Sequence, residues 1–188
     1  MNFGSFAVAS SQASAKAAAD PIDIDPIKSC YQDVANESDE SVAAVRKALA
    51  VAAPAERDDC RDNLTNALGN ASYDLLFSGR YAEAQRAAEE ALKNDPQKFW
   101  IYANQAHVLL LSGHYAEARA IYSRYGSKLA FSDANQTFAE AVKNDFQEFE
   151  MFHFLFTAEQ LVNIQKMRDK LTSSGWRPSM DQAQKDTE

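Results

Sequence analysis

The chain predicts an all-α fold, and three observations carry that expectation. Its 188 residues include only 6 Gly and 5 Pro, Ala is abundant and β-branched residues do not cluster in runs, a balance that favours helix over strand. Apolar residues recur at intervals of three and four, the spacing of one helix face. The third observation is an internal echo: Leu75 to Ala84 reads LLFSGRYAEA and Leu109 to Ala118 reads LLLSGHYAEA, differing only at Phe77 against Leu111 and Arg80 against His114. A fixed period of this length marks a stack of helix pairs, in which no unit can bury its apolar face without a neighbour.

Taken in order, residues 1–24 are rich in Ala, Ser and Asp and read as a flexible arm. Asp25 and Pro26 look like a cap and first turn, opening a short helix through Cys30 to Val34. Asn36 to Ser38 is expected to break it, and a second helix runs from Asp39 to Ala52 on Val42, Val45, Leu49 and Ala52. Pro54 then stands in the first turn of a longer helix carrying Leu64, Leu68, Ala71, Leu75 and Leu76, which Gly79 ends. Tyr81 begins its partner, where Ala84, Ala87, Ala88, Ala91 and Leu92 give a smooth face for close helix approach, and Asn94, Asp95 and Pro96 stop it.

Leu68, Ala71, Ser72, Leu75, Gly79, Tyr81, Ala84, Ala88, Ala91 and Pro96 together resemble a tetratricopeptide repeat. A second copy offers Tyr102, Ala106, Leu109, Gly113, Tyr115 and Ala118 in phase, then departs from the pattern at Tyr122, Tyr125 and Gly126. The resemblance implies a right-handed superhelix of antiparallel helix pairs over residues 25–174, with recognisable repeats at about 65–98 and 99–132 and a divergent C-terminal capping pair. For that pair, Ser132 is expected to open a helix carrying Phe138, Val142, Phe146 and Phe149. Thr157 with Gln160 forms a capping box for a last helix bearing Leu161, Ile164, Met167 and Leu171. Gly175 would end it, leaving 175–188 as a flexible tail.

The resemblance also implies a function, since the first helix of each pair in this family lines a concave groove that holds a partner protein or peptide. By that resemblance Asn66, Gly69, Tyr73 and Phe77, and then Trp100, Ala103, Asn104, His107 and Leu111, face the groove. Tyr, Phe and Trp there would supply contact area at small entropic cost, and an Asn amide could fix a peptide backbone. The clamp that some members use for a terminal carboxylate is not matched, because Gly69 and Tyr73 stand where its first basic and amide residues would be. A second reading is a small chaperone-like protein that shields an apolar segment of a secreted or membrane-associated client. The run Phe146, Phe149, Phe152, Phe154 and Phe156 either caps the stack against Tyr122 and Tyr125 or remains exposed as a docking patch.

Composition excludes other classes. Acidic residues outnumber basic ones by 27 to 19, giving a formal charge of -8, so nucleic acid and anionic membrane are poor partners. No run of about 18 apolar residues would insert into a membrane. His107, His114 and His153 fall on three segments without ligands at metal spacing, and no nucleophile or phosphate-loop motif occurs, so neither metal, cofactor nor catalysis is implied. Cys30 and Cys60 are read either as small apolar side chains packed under the first helices or, in an exported or periplasmic protein, as a disulfide. Ala13, Ser14 and Ala15 resemble a signal-cleavage site, but no Lys or Arg precedes Lys16, which favours a cytoplasmic protein.

Overall fold

The structure, a computed structural model, describes residues 25–130 and 136–173. The expectations for residues 1–24 and for Gly175 with the tail after it lie outside these residues, as does Ser132 itself. The described chain forms seven α-helices, and the all-α prediction holds. They are α1 (Asp25–Val51), α2 (Arg57–Phe77), α3 (Tyr81–Asn94), α4 (Phe99–Leu111), α5 (Tyr115–Tyr125), α6 (Phe138–Met151) and α7 (Ala158–Ser173). Short 3-10 turns at Pro54–Glu56 and His153–Leu155 lead into α2 and out of α6, and among the described residues β-pairing is confined to an isolated bridge between Leu129 and Thr137.

The echoed decapeptides are two copies of one turn. Gly79 and Gly113 have φ of 75° and 85°, a conformation open to glycine without strain. In the first copy Gly79 N–H donates to Leu76 O at 3.1 Å and Arg80 N–H to Leu75 O at 3.0 Å; in the second, Gly113 donates to Leu110 O at 3.2 Å and His114 to Leu109 O at 2.8 Å. Both are Schellman caps, and each reverses the chain into a helix whose alanines let it lie close. Ala84, Ala88, Ala91 and Ala118 have no exposed surface. At the second of the two positions where the copies differ, the side chains have separate tasks. Arg80 joins Asp39 of α1 and Glu83, both at 2.7 Å, whereas His114 reaches only Glu117 of its own helix, at 3.4 Å.

Three local expectations are corrected. The chain does not break at Asn36 to Ser38, because α1 is one helix of 27 residues. Asn and Ser are only a few tenths of a kcal/mol worse than the better helix formers, about 0.5 kcal/mol against Ala, and no Gly or Pro is present to do more. Burial of Ala35 and Val42, and a hydrogen bond from Ser38 Oγ to Asp74 of α2, outweigh that. The helix carrying Phe138 is capped by Thr137, whose Oγ1 accepts from Glu140 N–H at 3.3 Å while the Glu140 carboxylate accepts from Thr137 N–H at 2.8 Å. This is the same capping box that Thr157 and Gln160 form for α7.

The third correction concerns the cysteines. Gln32 Nε2 donates to Ser78 O at 2.9 Å, which sets the start of α1 beside the end of α2. Cys60 lies in the first turns of α2, so about 27 Å of helix, at 1.5 Å per residue, separates the two thiols. A disulfide needs Cα atoms within about 7 Å. Both cysteines are free, and Cys30 is exposed rather than packed beneath a helix.

Candidate functional site

The inner helices are α2, α4 and α6, and α6 does more than end the row. Phe77 of α2 has ring contacts with Phe149 at 5.7 Å, Phe152 at 5.9 Å and Phe156 at 6.0 Å, and with Tyr31 of α1 at 5.2 Å. His107 of α4 meets the Phe149 ring at 4.9 Å and the Phe146 ring at 5.8 Å. The Phe-rich run is therefore mostly core: Phe146, Phe149 and Phe156 are buried, and Phe152 and Phe154 are half-buried. It packs on Tyr122, as a cap would, and also on the faces of α2 and α4 that were expected to stay open. The physical reason is area, since aromatic side chains of this size gain more by covering one another than by facing water.

This burial corrects part of the expected groove. Phe77, His107 and Leu111 have 6%, 0% and 4% of their surface exposed and lie beneath the chain's own C-terminal helices. Asn66 stands to one side, where its amide donates to Asp62 of the same helix at 3.1 Å. Tyr73, Trp100 and Asn104 do come together. With Asn70, Asp74, Ala103, Ala141 and Asp145 they line a cleft of about 430 Å³ between α2, α4 and α6, the part of the inner face that the phenylalanines leave uncovered.

Each wall of the cleft is held from behind. Trp100 lies on Gly69, where a Cβ would come within 2.2 Å of the indole, so the absence of a side chain at 69 places the ring. Asn104 Nδ2 donates to Gly69 O at 2.9 Å and Ser72 Oγ at 3.0 Å. Both amide hydrogens are thereby directed into α2, leaving the carbonyl oxygen as the atom with capacity to spare.

Tyr73 and His107 occupy equivalent positions in the two repeats, and both reach Asp145 of α6. His107 Nε2 lies 2.9 Å from Asp145 Oδ2, and Tyr73 OH is 3.5 Å from Oδ1 and donates to Glu148 at 2.9 Å. Behind them His107 Nδ1 lies 2.7 Å from Tyr122 OH. Burial, with Asp145 adding repulsion, pushes the Tyr122 hydroxyl well above the usual tyrosine range, so it keeps its proton beside Nδ1. Nε2, facing the Asp145 carboxylate, donates to it, while the direction of the Tyr122–Nδ1 bond follows the tautomer. Burial and the carboxylates of Asp145 and Glu148 push the Tyr73 hydroxyl in the same direction.

Sequence reasoning missed Asn70, Asp74, Asp145 and Glu148. The available signal was at 145 and 148, where two acids alternate with the buried Phe146 and Phe149 on a helix. A carboxylate beside core aromatics requires a partner, and His107 and Tyr73 supply it. Among the described residues no three His, Cys, Asp or Glu side chains converge as a metal site, and no helix is long and apolar enough to cross a membrane.

Antiparallel pairs joined by identical glycine turns, with an inner face bearing a lined cleft, define a helical-repeat protein. The sequence model of the tetratricopeptide repeat family matches residues 75–137, about a third of the chain, from the end of α2 to the cap of α6. Repeats of that family generally mediate protein–protein interaction and are typically non-catalytic. No curated protein and no solved structure matches the chain.

Proposed function

We propose that this protein is a non-catalytic interaction module that holds a segment of a partner protein in the cleft between α2, α4 and α6. The observation that carries this reading is the pairing of two half-buried aromatics, Tyr73 and Trp100, as walls of a cleft on the inner face of a repeat array. Such side chains are the usual anchors of protein interfaces, because they bury large areas while few rotamers are lost. A catalytic role for the Tyr122, His107 and Asp145 chain finds no support in its geometry. The imidazole has no exposed surface and both ring nitrogens are engaged, so no reacting atom could approach it.

Shielding of an apolar client has no comparable observation in its favour. The apolar part of the inner face, Phe77 and Leu111 included, is already covered by α6 and the residues that follow it. The exposed large hydrophobics Val51, Leu129, Met151 and Val162 lie on separate elements.

A photo-crosslinking residue at exposed position 70, on the cleft rim, tests the reading against the same residue at exposed position 89 on α3. Partner polypeptide should be captured from 70 and not from 89, and Trp100→Ala should abolish capture while leaving the helical circular dichroism intact. Capture from 89 alone, or capture unaffected by Trp100→Ala, would show that the partner docks elsewhere.

A further inference from the structure

We propose that the cleft selects a cationic side chain of the bound segment, specifically the guanidinium of an arginine; this rests on the interaction reading above. The lining is one-sided in its chemistry. Asp74 and Asp145 contribute carboxylates, Asn104 contributes a carbonyl oxygen whose amide hydrogens are spent elsewhere, and Tyr73 and Trp100 contribute aromatic surface. None of the lining residues is Lys or Arg. Asp74 is bonded by the neutral hydroxyl of Ser38, and Asp145 by His107 and Tyr73, so these hydrogen bonds orient the two acids without bringing a Lys or Arg to them.

Other clefts of the molecule differ in this respect. The cleft between α6 and α7, about 480 Å³, is lined by Lys143 and Arg168 together with Glu140 and Glu150, and Arg168 pairs with Glu150. The cleft between α1, α2 and α3 holds Arg46 and Arg86 beside Asp39, Glu83 and Glu90, and Arg46 pairs with Glu90. Where acids face those clefts, the chain supplies its own counter-charge. In the Trp100 cleft no Lys or Arg does so, the lining acids meeting Ser38, Tyr73 and His107 instead, and the whole chain carries a formal charge of -8 that favours a basic visitor.

Arginine fits this lining better than lysine on two grounds. Its planar guanidinium stacks on an indole or phenol face while its edge donates to a carboxylate, and its weaker hydration makes entry into a half-buried cleft less costly. A lysine ammonium could satisfy the charge but not the plane. The cleft volume exceeds one side chain, leaving space for the flanking backbone of the visiting segment.

The test uses the full chain as bait for a displayed random dodecapeptide library, followed by affinity measurement on the selected peptides. Selected sequences should share one arginine; its replacement by norleucine should weaken binding at least tenfold, and by lysine several-fold. Asp74→Asn and Trp100→Ala should each weaken the arginine peptide and leave the norleucine peptide little changed. Asp74 is the acid of choice because Asp145 also holds His107. Selected peptides that lack a basic position, or that bind Asp74→Asn as well as the native protein, would overturn the arginine assignment while leaving the interaction module standing. Retention of no peptide at all would overturn both.

Discussion

The indole of Trp100 rests on the backbone of Gly69, with so little space between them that a methyl group at 69 would stand 2.2 Å from the ring. The two residues lie on α2 and α4, so the contact sets how closely successive repeats approach and which way the cleft wall faces. Gly69→Ala should therefore destabilise the native protein by about 1 to 3 kcal/mol, the usual range for overpacking. In a Trp100→Ala background the same substitution should be neutral or stabilising by up to about 1 kcal/mol, since Ala is the better helix former once the ring is gone. Urea unfolding of the four proteins, followed by circular dichroism, measures both numbers. An equal effect in the two backgrounds would mean that the ring does not dictate glycine at 69.

His107 should behave as a structural residue whose partners share its loss. Replacement by Leu removes the ring nitrogens that face the Tyr122 hydroxyl and Asp145, a loss that typically costs about 1 to 3 kcal/mol. Adding Tyr122→Phe removes a hydroxyl whose bond to His107 is already gone, so the double variant should be more stable than the sum of the single losses predicts. Strict additivity in the unfolding free energies would contradict the hydrogen-bond chain.

Alkaline pH should unfold the protein more steeply than an ordinary tyrosine content would require. Tyr73 and Tyr122 titrate above the usual value of 10.0 in the native state, chiefly through burial. Below pH 10 both states keep these protons, and the stabilisation is fully present. Above it the unfolded chain releases protons that the native state retains, so stability falls by about 1.4 kcal/mol per pH unit for each tyrosine until its native pKa is passed. The slope should drop by one such increment in Tyr73→Phe. Tyrosinate absorbance near pH 11 should rise further on adding denaturant; full ionisation of the native protein at that pH would remove the basis of the prediction.

Phe77→Ala should be among the most damaging single changes, about 3 to 5 kcal/mol, because one ring touches α1, α6 and the turn after it. Phe152→Ala, at a half-buried position, should lose less. Thermal melts of the two proteins rank them, and the reverse order would place the centre of the aromatic cluster elsewhere.

What could be read from the sequence followed the range of the interactions involved. The turns at Gly79 and Gly113, the alanine faces of α3 and α5 and the Thr157 capping box depend on neighbours within a few residues, and each was legible. The Thr137 box is equally local, Thr137 and Glu140 standing three residues apart. The unbroken α1 was misjudged because the weak helix preference of Asn36 and Ser38 is overridden by α2, which no local pattern reports. Of the cleft, Tyr73, Trp100 and Asn104 were found through the repeat register. Asp74 and Asp145 were not, since they become cleft walls only when α6 crosses α2 and α4. That crossing is fixed by Phe77 against Phe149, a contact between distant parts of the chain.

Tyr31, near the start of α1, meets the Phe152 ring edge-on at 5.5 Å just after α6 ends. In an open stack of repeats each unit leans only on the next, so an end can fray while the middle stands, and units can be added or removed. Here the start of α1 and the turn between α6 and α7 share a seam, with Phe77 as its keystone. Loosening either side of that seam loosens the other, and a further pair inserted between them would carry Tyr31 away from Phe152.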